Sequence, residues 1–236
     1  MAQDLRSSMM TSRMIHPMTP LFGRQMPHHS VAPALALGPW ILAWLWLASA
    51  LCLWPGLARA EEPPLVVEGQ SFERHAHVAK SDLVLNGAGV RKVAWFKPFA
   101  VGLYLASPAS EAAQIAASAG PKRLQMRMLV DVPAREFAKA SRDGISQNAG
   151  SPDAANRLSE RIGRFESQIN ELGKVRKGDV VDMDFDPERG LLFTVNGTLR
   201  GTPIPGEDFY TALLRSFIGE HPYDKRLRAG LLGQAP

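Results

Sequence analysis

Residues 180–204 read VVDMDFDPERGLLFTVNGTLRGTPI, and this stretch decides the architecture. Residues 180–185 alternate apolar with acidic side chains, Asp186-Pro187-Glu188-Arg189-Gly190 interrupts them, residues 191–195 turn apolar again, and Asn196-Gly197 leads into residues 198–204. Alternation at period two marks a strand with one buried face. Asn-Gly between β-forming residues is a strong signal for a two-residue hairpin. The segment therefore predicts three consecutive antiparallel strands.

Working outward, the same reasoning finds more strands before it. KRLQMRMLV, residues 122–130, alternates polar with apolar and predicts a half-buried strand. Asp82-Leu83-Val84-Leu85, then the turn-rich Asn86-Gly87-Ala88-Gly89, then residues 90–96 and, after Lys97-Pro98, residues 99–105 predict adjacent antiparallel strands. Helices separate these blocks. Residues 110–119 are rich in alanine, and residues 133–147 follow Asp131 as an expected cap. Ser151-Pro152-Asp153 opens a longer helix in which Leu158, Ile162, Phe165, Ile169 and Leu172 recur every three or four residues, the mark of a buried face. A last helix is expected over 207–219, with a short one after Pro222. The fold class is α+β, with a large, mostly antiparallel sheet covered by helices on one face.

The first sixty residues belong to targeting. WILAWLWLASALCLW, residues 40–54, precedes Ala58-Arg59-Ala60, an apolar core followed by an A-x-A cleavage pattern. The run is shorter than the roughly 20 residues that a spanning helix needs. The expectation is a leader over 1–60, cleavage after Ala60, a single domain over 61–236, and a periplasmic or secreted product with no stable membrane span. Met10, Met14, Met18 or Met26 are alternative starts that would leave a more ordinary leader. Of the 27 Lys and Arg, Arg6, Arg13, Arg24 and Arg59 fall in the leader, and of the 23 Asp and Glu only Asp4 does. The domain is thus nearly neutral, which argues against a nucleic-acid partner. Cys52, the single cysteine, also precedes residue 61, so the domain has neither a disulfide nor a thiol nucleophile.

Leu85-Asn86-Gly87-Ala88-Gly89-Val90-Arg91, followed by Phe96-Lys97-Pro98-Phe99-Ala100-Val101-Gly102-Leu103-Tyr104-Leu105, resembles the start of the chalcone isomerase-like domain. Residues 208–222, DFYTALLRSFIGEHP, and Leu231-Leu232-Gly233 resemble its end. The resemblance spans roughly residues 81–234, favours the bacterial exported branch of the family, and implies an open-faced β-sandwich.

The resemblance puts the chemistry on Arg91. Its permanently charged, planar guanidinium holds a carboxylate or phenolate through two parallel hydrogen bonds. In plant chalcone isomerases the matching arginine orients an oxyanion during ring closure, and in the fatty-acid-binding members it binds the carboxylate. If the strand continues through residue 95, Arg91, Val93 and Trp95 share one face. The next-strand hydroxyl of the enzymes falls on Phe99, and their helical tyrosine and asparagine fall near Phe137 and Gly144. Ser216 retains a hydroxyl ahead of Ile-Gly-Glu-His. The expected function is binding of a small amphipathic carboxylate or lipid such as a fatty acid, with Arg91 as anchor, Trp95, Phe99 and Phe137 as lining, and Tyr104 and Ser216 as polar contacts. The alternative is an isomerase, an intramolecular lyase on a chalcone-like enone, with Arg91, Ser216 and Tyr104 catalytic.

No cofactor is implied. His75 and His77 share a strand face without a third metal ligand at convincing spacing, so no metal is assigned. Asp182, Asp184 and Asp186 are expected on a solvated strand face, and Glu220 and His221 at a helix end.

Overall fold

The computed structural model describes residues 62–234; the leader and the cleavage expected after Ala60 lie outside them. Residues 60–236 form one compact unit. In chain order its strands are β1 (Leu65–Val67), β2 (Gln70–Phe72), β3 (His75–Val78), β4 (Ser81–Val90), β5 (Phe99–Leu105), β6 (Lys122–Met128), β7 (Val132–Pro133), β8 (Lys174–Val175), β9 (Val180–Asp186), β10 (Gly190–Val195) and β11 (Thr198–Leu199). The helices are α1 (Ala112–Ala117), α2 (Ala134–Gln147), α3 (Pro152–Asn170), α4 (Glu207–Ile218) and α5 (Lys225–Leu231).

One seven-stranded antiparallel sheet, ordered β11-β10-β9-β6-β5-β4-β3, carries the fold. The hairpins read from sequence pair as expected: Phe193 faces Met183 across β9–β10, and Val195 faces Thr198 across the Asn196-Gly197 turn. Between β6 and β9 the chain leaves the sheet to form α2 and α3, with β7 and β8 pairing beside them. Ser151 caps α3, its hydroxyl accepting from the Ala154 amide at 3.1 Å. This satisfies one of the amides that the first helical turn leaves unpaired.

The alternation predicts which face is dry. Val101, Leu103, Leu124, Met126, Val181 and Met183 are almost fully buried beneath the helices. The α3 stripe meets them through Phe165, which packs edge-on to Phe193 at 5.3 Å and to Phe209 at 6.0 Å. Each such side chain contributes about 1.5–3 kcal/mol of apolar burial.

Four local expectations are corrected. Asn86-Gly87-Ala88-Gly89 is no turn but the interior of β4, with a register shift between Leu85 and Gly87. Its glycines admit α5 onto the strand: a Cβ on Gly87 would overlap the Gly230 carbonyl, and one on Gly89 would lie 3.1 Å from the Leu227 carbonyl. Residues 91–96 do not continue the strand, because a tight turn closes between Val93 and Phe96. Asp131 does not cap α2; its carboxylate accepts from the Lys177 amide and Lys174 Nζ. Nor are Asp182, Asp184 and Asp186 solvated. They are buried, with Asp184 held by Arg123 through two bonds of 2.6 Å and Asp182 accepting from Gln125.

Candidate functional site

A cavity of about 240 Å³ opens between the sheet and the helices. Phe99, Met126, Met128 and Met183 form its sheet wall, while Phe137, Leu213 and Phe217 close it from α2 and α4. Phe99 lies opposite Met128 in the β5–β6 register, so adjacent strands supply a continuous apolar floor. Val93, Phe96 and Pro98 stand at one side.

Arg91 is the cation in this wall. Immediately after β4, its amide donates to the Phe99 carbonyl at 3.0 Å, holding the residue beside the start of β5. Its Cζ lies 4.9 Å from the centroid of the Tyr223 ring and 5.7 Å from that of Phe99. Both distances are within cation–π range. Nε is buried without a hydrogen-bond partner. Burial depresses the guanidinium below its usual range, and the neighbouring Tyr223 and Asp224 only partly offset that effect.

Tyr223 is the functional residue that sequence reasoning missed. It follows Pro222, just past the helix-end motif, and no periodicity singles it out. A second signal was present in Gly144: a Cβ there would overlap the Tyr223 phenol. The glycine in the middle of α2 therefore makes room for a tyrosine from the α4–α5 connection, near the place where the plant enzymes carry a polar side chain on the helix. The phenol donates to the Ala140 carbonyl at 3.0 Å. Burial pushes it up to about 12, partly countered by the Ser216 hydroxyl and Arg91. Ser141, one helical turn beyond Phe137, places a second hydroxyl in the wall.

Of the residues expected at the site, Arg91, Phe99 and Phe137 converge and the others do not. Trp95 does not line the cavity; it is 91% exposed at the tip of the turn, because the strand ends before it. Tyr104 is buried on the opposite face of the sheet with Val78 and Leu83. Phe99 and Tyr104 are an odd number of residues apart on one strand, and alternation sends them to opposite sides. Ser216 is fully buried behind Tyr223, its hydroxyl donating to the Ala212 carbonyl at 3.1 Å. None of Trp95, Tyr104 and Ser216 lines the cavity. His77 bonds to Asp82 at 2.9 Å, and among the described residues no group of three or more His, Cys, Asp or Glu is placed to hold a metal.

The cavity thus lies between sheet and helices, with Arg91, Glu136, Ser141 and Tyr223 as the polar residues of a mostly apolar wall. The model of the chalcone isomerase-like family matches residues 65–233, and the chain belongs to that family. Among solved structures it is similar to an Arabidopsis thaliana fatty-acid binding protein, with a TM-score of 0.56 and 19% identity over 72% of this chain and 95% of that chain. No curated protein sequence matches the chain at a significant level.

Proposed function

We propose that the protein binds an amphipathic carboxylate, a fatty acid of medium chain length, with its head on Arg91 and its alkyl chain in the cavity. The observation that carries this reading is Arg91, its Nε buried and unpartnered, in the wall of a mostly apolar chamber whose one acid, Glu136, is exposed. The guanidinium is half-buried, and a ligand carboxylate would satisfy the donor that the fold leaves unpaired. The fatty-acid-binding function of a structurally similar protein supports the same direction.

Cavity size limits the chain. A methylene group is close in size to a water molecule, whose share of liquid volume is about 30 Å³. The 240 Å³ chamber then holds about eight such groups. Octanoate and decanoate are the ligands of choice. Export, with cleavage after Ala60, belongs to the same proposal, and a mature chain beginning at Glu61 by mass spectrometry would support it.

The competing reading is an intramolecular lyase acting on an enone, for which Arg91 would hold the oxyanion. It lacks donors. Phe99 offers no hydroxyl, the Tyr223 proton is committed to Ala140, and Tyr104 and Ser216 lie outside the chamber.

The test is calorimetric titration of residues 61–236 with octanoate and decanoate. Arg91→Ala should weaken binding by about ten- to a hundred-fold, the worth of a charge-assisted hydrogen bond. Equal affinity in both proteins would overturn the anchor, and conversion of a chalcone by the wild type would favour the lyase.

A further inference from the structure

The turn beside the cavity presents apolar side chains to solvent. Val93 and Phe96 exchange backbone hydrogen bonds of 2.8 and 2.9 Å, leaving Ala94 and Trp95 as the two central residues. Trp95 is 91% exposed, Val93 49% and Phe96 44%. A tryptophan this bare at the tip of a hairpin stabilises nothing in the fold. Val93 and Phe96 continue from the tip into the cavity wall, so the exposed patch and the chamber are contiguous.

Basic side chains surround the tip. Residues 91–98 read RKVAWFKP, with three cations and no acid. The Leu129 amide donates to the Pro98 carbonyl and the Gly178 amide to the Met128 carbonyl, both at 2.9 Å. This places the connection that carries Lys174, Arg176 and Lys177 on the same edge of the molecule. Lys97 is paired with Glu68 and Lys174 with Asp131. Lys92, Arg176 and Lys177 are exposed and make no ion pair among the described residues. Of the acids on this edge, Asp179 accepts from the Arg176 amide and Asn196 Nδ2, Asp224 accepts from the Lys92 amide, and Glu136 lines the cavity with Val93 and Phe96, so the cations are in excess but not alone.

We propose that this edge docks on an anionic lipid membrane, with Trp95 and Phe96 inserted at the headgroup level, Lys92, Arg176 and Lys177 on the phosphates, and the cavity mouth turned toward the lipid. Three side chains on a narrow turn fall far short of the roughly 800 Å² per partner that a stable protein–protein interface buries. A membrane interface needs no such area. Tryptophan favours it because its ring is apolar and its N–H remains hydrated, and each nearby lysine or arginine gains from the negative surface. The inference rests on the turn and its surroundings, and it holds whichever amphiphile fills the cavity.

Trp95 is the only tryptophan within residues 61–236, so its fluorescence has one origin. With vesicles of phosphatidylcholine containing phosphatidylglycerol, the 61–236 protein should co-sediment, its emission should shift to the blue, and brominated lipid should quench it. Trp95→Ala should lower partitioning about ten-fold or more. Lys92→Gln and Lys177→Gln should each lower it about five-fold on these vesicles. Octanoate titration in solution should be unchanged by Trp95→Ala, which separates this proposal from the cavity's own function. Wild-type protein left in the supernatant would overturn it. So would Trp95→Ala sedimenting as well as wild type, or a lipid-free dimer in analytical ultracentrifugation that dissociates in Trp95→Ala.

Discussion

Arg91 and Tyr223 act as a pair whose two halves have different jobs. The guanidinium supplies charge, while the ring supplies a face that fixes where the charge sits without consuming its hydrogen-bond donors. Replacing Tyr223 separates these effects. Tyr223→Phe keeps the ring and loses one hydrogen bond to Ala140, so stability should fall by about 1 kcal/mol and octanoate affinity should stay near wild type. Tyr223→Ala removes a buried ring packed edge-on to Phe217 at 5.0 Å; it should cost about 3–5 kcal/mol in urea denaturation and release Arg91 from its position. The pH profile has a definite sign. Neither Arg91 nor Tyr223, pushed up to about 12, changes charge in acid. If Arg91 is the anchor, binding should weaken as pH falls through the ligand's own carboxyl range, near 4–5, because protonation removes the anion that the guanidinium would hold. A loss of affinity centred near neutral pH would implicate another group.

At the level of elements, the join between β4 and α5 depends on two backbones lying in contact. Gly87→Ala places a methyl group against the Gly230 carbonyl, and neither main chain can yield cheaply. It should destabilise by about 1–3 kcal/mol, as overpacking does, and it should disturb Arg91, which follows the same strand. Gly163→Ala is the converse. That glycine lies on the exposed side of α3 with open space where a Cβ would go, so the helix should gain roughly 0.8–1 kcal/mol. Chemical denaturation of both variants checks the contrast. The same glycines explain what the sequence concealed. Strand alternation over 180–195 and the stripe from Leu158 to Ile169 mark the face under the helices, so the sheet and its helical layer were legible, whereas burial of the acids on the opposite face of β9 depends on Arg123 and Gln125 of another strand. Asn86-Gly87-Ala88-Gly89 has the composition of a turn, yet close approach by a helix remote in sequence makes it a strand, and no local pattern reports that neighbour. Misplacing this boundary carried forward to Trp95, since the inferred face assumed a strand that the Val93–Phe96 turn ends. Arg91, Phe99 and Phe137, which line the cavity, were named from the motif alone, since the strand face assumed for Arg91 does not exist. Tyr223 was not legible, because its role depends on Gly144 far away in the chain.

For the whole molecule, the sheet's inner face and the helices that cover it enclose one core, and the cavity is a gap in that core. Residues 60–236 form one compact unit, and among the described residues the two hydrophobic clusters draw on residues from Ala76 onward. Residues 61–236 should consequently fold alone and unfold in a single cooperative transition, seen as coincident loss of far- and near-ultraviolet dichroism, because the exposed Trp95 reports little of the core. A ligand that fills the gap binds the native state and not the unfolded chain, so it must raise the midpoint. Octanoate at a hundred times its dissociation constant would add about 2.7 kcal/mol. For a domain of this size each kcal/mol is worth about 2–4 °C, which predicts a rise of about 5–10 °C. Arg91→Ala should remove about half or more of that rise at the same ligand concentration, whereas Trp95→Ala should preserve it, because the tryptophan stands outside the chamber. An equal rise in wild type and Arg91→Ala would mean that the alkyl chain binds without its head on the arginine, and the carboxylate anchor would have to be abandoned.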